Sequence, residues 1–148
     1  MTAHQRAGCL LIVDDDESTA EMFARILMLE GYEVHTAQSA ESGLRQLESC
    51  RPDAIILDLR MPFINGLGLL YRLRQVERTR TTPVVIVTGD QCLEDSVISE
   101  LHDLGAEVRF KPLWVDDLVD VARSLVGPKP TTSANAVRAF RSPSVGRA

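Results

Sequence analysis

Four short segments of this 148-residue chain carry the groups that metal and phosphate chemistry requires. Asp14-Asp15-Asp16 follows the apolar run Cys9-Leu10-Leu11-Ile12-Val13. Asp58 follows Ala54-Ile55-Ile56-Leu57 and precedes Leu59-Arg60-Met61-Pro62. Thr88-Gly89 closes Val84-Val85-Ile86-Val87, and Lys111-Pro112 closes Val108-Arg109-Phe110. Mg²⁺ takes about six oxygens in near-octahedral geometry and keeps several waters, so two carboxylates with a backbone carbonyl and waters suffice. An ammonium and a hydroxyl bind phosphate oxygens. The set reads as a Mg²⁺-dependent site that takes a phosphoryl group onto an aspartate.

The roles differ by position. Consecutive carboxylates repel unless a cation offsets them, so Asp14 and Asp15 point to a metal. Asp16 and Glu17 open a helix, where acids complement the dipole. Asp15 and Asp58 are the direct ligands, with Asp14 acting through water. Lys111 pairs with Asp58 and then with a phosphoryl oxygen. Thr88 offers its hydroxyl to a second oxygen, and Gly89 leaves space beside it.

Those segments can meet only if a sheet brings them together. Apolar runs alternate with amphipathic stretches five times, which predicts a parallel α/β sheet with right-handed crossovers. The predicted helices are about 17–30, one capped by Ser39 with Leu44 and Leu47 on one face, one opened by Asn65-Gly66, about 93–104, and about 115–126. The third of these carries Leu69, Leu70, Leu73 and Val76 on one face. The runs at 54–57 and 84–87 are uniformly apolar, as central strands covered on both faces must be. The run at 32–37 is mixed, as an edge strand is. The expected fold is therefore flavodoxin-like and doubly wound, with five parallel strands ordered 2-1-3-4-5 and helices on both faces. Its switch point lies between strands one and three, where Asp14, Asp15 and Asp58 meet.

Charge and composition narrow the class. The net charge is −5, and the segment from Gly127 onward holds four basic residues and no acids. An acidic body argues against nucleic acid as a direct partner. No apolar run nears the ~20 residues of a membrane span, and residues 1–8 lack a signal-peptide core. Cys9, Cys50 and Cys92 show no metal-like spacing and read as small, partly buried thiols of a reducing cytosol. Residues 1–8 are read as an N-terminal arm, 9–126 as the domain, and 127–148 as a basic Pro/Ser-rich tail expected to be disordered.

The set Asp14/Asp15, Asp58 with Met61-Pro62, Thr88-Gly89 and Lys111-Pro112 resembles the receiver domain of bacterial two-component response regulators, over roughly residues 8–126. The resemblance implies that Asp58 is the phospho-acceptor and that Asp14 and Asp15 are the acid pair. It makes the Arg60 carbonyl the third protein ligand of Mg²⁺ and gives Thr88 and Lys111 the phosphoryl oxygens. It also implies a cis Lys111–Pro112 bond. The expected function is that of a stand-alone cytoplasmic switch rather than an enzyme, phosphorylated by a sensor histidine kinase or phosphotransfer protein. Output is expected through the fourth helix, fifth strand and fifth helix to a partner protein.

Two departures stand out. Receivers carry Tyr or Phe three residues before the lysine, where Val108 stands. The segment from Gly105 to Lys111 is one residue shorter than usual, which leaves the register of strand five open and offers Phe110 or Arg109 for the switch face. A rival reading is a haloacid-dehalogenase-type phosphohydrolase, since Asp14-Asp15-Asp16-Glu17-Ser18 fits its Asp-x-Asp-x-Ser/Thr shape. That family needs a later acid pair at a strand end, and Asp116-Asp117 fall in a predicted helix. A third reading is a docking module with a relic site, whose partner affinity would ignore a phosphomimetic.

Overall fold

A computed structural model describes residues 7–127. The proposed arm and tail lie almost wholly outside them. Eleven elements follow one another among the described residues: β1 (Gly8–Val13), α1 (Glu17–Leu29), β2 (Tyr32–Ala37), α2 (Ala40–Ser49), β3 (Ala54–Asp58), α3 (Gly66–Gln75), a 3₁₀ turn (Glu77–Thr79), β4 (Val84–Thr88), α4 (Asp95–Asp103), β5 (Ala106–Phe110) and α5 (Val115–Val126). The strands form one sheet ordered β2-β1-β3-β4-β5, with every pairing parallel. This is the expected flavodoxin-like order, and β2 is the expected edge.

Helix starts follow local chemistry. Asp16 caps α1 through Ser18 and Thr19, Ser39 caps α2 through the Ser42 amide, and Asn65 caps α3 through the Gly68 amide. Gly31 and Gly105 take positive φ values of 100° and 83°, where the chain turns from helix to strand. One residue departs from its predicted place: Val76 follows the last turn of α3 as its C-cap and is 45% exposed. The helix stops there because the backbone turns extended and enters the 3₁₀ turn.

Two cores cover the two faces of the sheet. Leu11, Val13, Ile55, Leu57, Val84 and Ile86 meet α2, α3 and α4 on one face, through Leu47, Leu70 and Leu101. Leu10, Ile12, Ile56, Val85 and Val87 meet α1 and α5 on the other, through Phe23, Leu27 and Leu118. β3 and β4 are buried at every residue, which explains their unbroken apolar runs. Burying each large aliphatic side chain contributes about 1.5–3 kcal/mol. The central strands are thus held from both sides, and their C-terminal ends form a fixed edge.

Candidate functional site

Asp14 follows β1, Asp58 ends β3, Thr88 ends β4 and Lys111 follows β5, so parallel pairing carries all four to one edge. The Asp14 amide donates to the Ala37 carbonyl at 3.0 Å, and the Lys111 amide donates to the Thr88 carbonyl at 2.8 Å. These bonds extend the ladders past the strand ends and fix both side chains. Asp14, Asp58 and Thr88 are buried, whereas Asp15 is exposed. The Lys111 ammonium lies 3.3 Å from an Asp14 oxygen and 3.6 Å from an Asp58 oxygen. It bridges the acid of β1 to that of β3.

Electrostatics single out Asp58. Burial, and then the Asp14 charge, push its carboxyl up to about 6, with Lys111 opposing and Asp15 adding a smaller push. A partly desolvated carboxylate beside like charges calls for a cation. Asp14, Asp15 and Asp58 offer oxygens that all lie within 4.8 Å of one another. Three hard oxygen donors in that space fit Mg²⁺ by donor chemistry. Asp16 is not part of this set. Its carboxylate accepts from Ser18, Thr19 and the Thr19 hydroxyl, and the Thr19 bonds hold its carboxyl below the ordinary range.

The rim adds three contacts. The Asp90 amide donates to Thr88 Oγ1 at 3.1 Å, and Asp90 Oδ1 accepts from the Cys92 amide at 3.0 Å. Arg60 and Asp90 pair side chain to side chain across the pocket. Open space surrounds the position a Gly89 side chain would take.

Gly66 is a positioning residue that turn chemistry alone does not reveal. A Cβ there would come within 2.4 Å of the Asp58 carbonyl oxygen and 2.9 Å of Leu59 Cα. Its amide donates to the Leu59 carbonyl at 2.8 Å. The first turn of α3 therefore rests directly on the strand end that carries Asp58. An Asn-Gly turn signals such a glycine, but the approach to Asp58 depends on tertiary packing.

Strand five settles into a definite register, with Val108 beside Ile86 and Phe110 beside Thr88. Val108 is partly buried and packs on the core of the α2–α4 face, the same core that Leu93, Val97 and Leu104 pack against. Phe110 is 38% exposed. Lys111–Pro112 is cis. Asp116 and Asp117 lie in the first turn of α5, where Asp117 accepts from the Trp114 amide at 3.3 Å. They supply no acid pair at a strand end, so the phosphohydrolase pattern is incomplete.

The response regulator receiver domain family matches residues 10–123. The transcriptional regulatory protein PrrA of Mycobacterium leprae is 30% identical over 126 residues, covering 85% of this chain and 53% of that protein. The regulatory protein AtoC of Escherichia coli is 34% identical over 119 residues, covering 80% of this chain and 24% of that protein. The chain spans about half the length, or less, of these curated relatives. Among solved structures, a response regulator from Chloroflexus aurantiacus superposes with a TM-score of 0.73 at 35% identity, covering 82% of this chain and 98% of the other. The chemotaxis protein CheY4 of Vibrio cholerae gives 0.74 at 27% identity, covering 82% and 99%. With this sheet order and this acid edge, the chain belongs to the response regulator receiver domain family.

Proposed function

We propose that this receiver is a phosphorylation-dependent signalling switch whose Asp58 accepts a phosphoryl group from a histidine kinase or phosphotransfer protein. The observation that carries the reading is the convergence of Asp14, Asp15, Asp58 and Lys111 on one sheet edge. An Asp58 oxygen attacks phosphorus, the donor's P–N bond breaks, and its electron pair returns to the donor imidazole. Lys111 turns from the carboxylates to a phosphoryl oxygen, and Thr88 donates its hydroxyl to another. Asp15, Asp58 and the Arg60 carbonyl would hold Mg²⁺, with Asp14 acting through water. Mg²⁺, when bound, neutralises charge on the phosphoryl oxygens. Positioning and neutralisation are all that the transfer asks of the protein, so no substrate turnover is expected beyond self-phosphorylation and self-dephosphorylation.

Output is proposed to pass through the α4–β5–α5 face to a partner protein, in the cytoplasm. Phe110, Trp114 and Val115 are 38%, 70% and 54% exposed there, an apolar set suited to protein contact. No helix among the described residues is long and apolar enough to cross a membrane.

Intact-mass measurement after exposure to a small acyl phosphate and Mg²⁺ tests the acceptor. One phosphoryl group should add to the native chain and none to Asp58→Asn. Equal labelling of the variant would sink the assignment. Asp15→Ala should abolish the Mg²⁺ dependence, and an unchanged metal requirement would remove Asp15 from the ligand set.

A further inference from the structure

At the opposite end of the sheet, a second cluster of ligating side chains converges. We propose that Cys9, Glu33, His35 and Cys50 form a binding site for a divalent transition metal of the Zn²⁺ class. Parallel pairing sets Cys9 beside Glu33, and Leu11 beside His35. Leu11 and Val13 face the α2 layer, and Cys9 is in phase with them. Val34 packs on the other face, so Glu33 and His35 also point toward α2. Gln46 Nε2 donates to the Thr36 carbonyl at 3.1 Å and ties α2 to β2 beside the cluster. Cys50 is the C-cap of α2.

The side chains meet. One ligand atom from each of Cys9, Glu33 and His35 lies within 4.8 Å of the others, and His35 Nε2 is 2.8 Å from a Glu33 oxygen. Burial pushes the Cys50 thiol up, and Glu33 and Cys9 are both near enough to bear on it, the carboxylate raising it further and Cys9 opposing. Two sulfurs, an imidazole and a carboxylate are a borderline donor set, which selects Zn²⁺ over Mg²⁺. Zn–S bonds of about 2.3 Å and Zn–N bonds of about 2.0 Å place tetrahedral ligand atoms roughly 3.5 Å apart. His35 and Glu33 side chains are 31% and 36% exposed, so an ion has a path in. Bound there, it would join β1, the edge strand β2 and the end of α2, far from the acid edge.

The test uses the reduced full-length chain with excess Mg²⁺ covering the carboxylate cluster. Zn²⁺ affinity is read by competition with a chromogenic chelator, and Co²⁺ serves as the optical probe. One Zn²⁺ per chain is expected, with a thiolate-to-cobalt charge-transfer band. His35→Gln and Cys50→Ser should each weaken Zn²⁺ binding about tenfold or more, while Asp15→Ala leaves it unchanged. Absence of the cobalt band in the native, folded chain overturns the site without recourse to any variant. So does affinity that survives both substitutions, or that is lost in Asp15→Ala.

Discussion

At the scale of single residues, Asp58 carries the strongest pH dependence. Its carboxyl stands at about 6 in the folded chain against an ordinary 3.8. The native state therefore holds the proton more tightly than the unfolded chain does. That contribution to stability is complete below the ordinary value and is lost as pH rises through 6. In metal-free buffer at about pH 8, Asp58→Asn should be more stable than the native chain by about 2 kcal/mol. The advantage should shrink toward about pH 5 and on addition of Mg²⁺. Denaturant melts in chelator at the two pH values check this, and a pH-independent difference contradicts the electrostatic origin. Arg60 and Asp90 raise a separate issue. Their pair closes the rim over the pocket, and Asp90 is anchored to Thr88 and Cys92. Both positions lie two residues past a site residue, so the rim was legible in the spacing. Replacing both with Ala should admit water and speed aspartyl-phosphate hydrolysis a few-fold, measured by loss of the phosphorylated mass with time. An unchanged or slower rate would reduce the pair to solvated surface charge.

Elements decide how such residues are held and how they move. The N-terminus of α3 rests on the end of β3, with no room for a Cβ at Gly66. Gly66→Ala must push the helix or Asp58 aside, at a cost of about 1–3 kcal/mol for overpacking. Asp58 phosphorylation should slow in that variant even where the domain stays folded; native labelling rates would show that the strand end tolerates the shift. The other moving part is the β4–α4 connection. Val108 is β-branched, stiff about χ1 and small, so it cannot sweep the arc of an aromatic switch. A phosphoryl group shifts an equilibrium only through contacts that differ between two states. Thr88 binds the Asp90 amide, and α4 begins at Asp95 with no side-chain cap. Hydrogen exchange should therefore change most over residues 88–104 on phosphorylation, and less in β5. Larger changes confined to 108–111 would return the signal to strand five. Val108 packs on the core of the α2–α4 face, so Val108→Tyr must displace part of that packing, with an expected loss of about 1 kcal/mol.

Across the whole molecule, what the sequence showed and what it hid divide along one physical line. The alternation of apolar runs revealed strands, helices, sheet order and the shared acid edge, because each depends on periodicity and on where a strand ends. Contacts that need a lateral register stayed hidden. Cys9 and Cys50 looked unrelated, yet parallel pairing and the end of α2 bring them together with Glu33 and His35. Arg74 gave no signal either. It donates to the carbonyls of Leu104, Thr79 and Thr82 at 2.7–2.9 Å, joining α3 to the loops before β4 and β5. The two cores share one sheet, and this makes the domain a single cooperative unit. Ile55 faces the α2–α4 layer and Ile56 faces α1 and α5, each at most 2% exposed. Truncation of either to Ala should cost about 2–5 kcal/mol, since both leave a cavity against a strand held on two sides. Because β3 is common to both cores, neither loss should stay on its own face. Denaturant unfolding of each variant, followed by circular dichroism and by Trp114 fluorescence near α5, should give coincident transitions at a lower midpoint. Separate midpoints for the two probes, in Ile55→Ala above all, would mean that the α1–α5 layer holds the sheet without its partner.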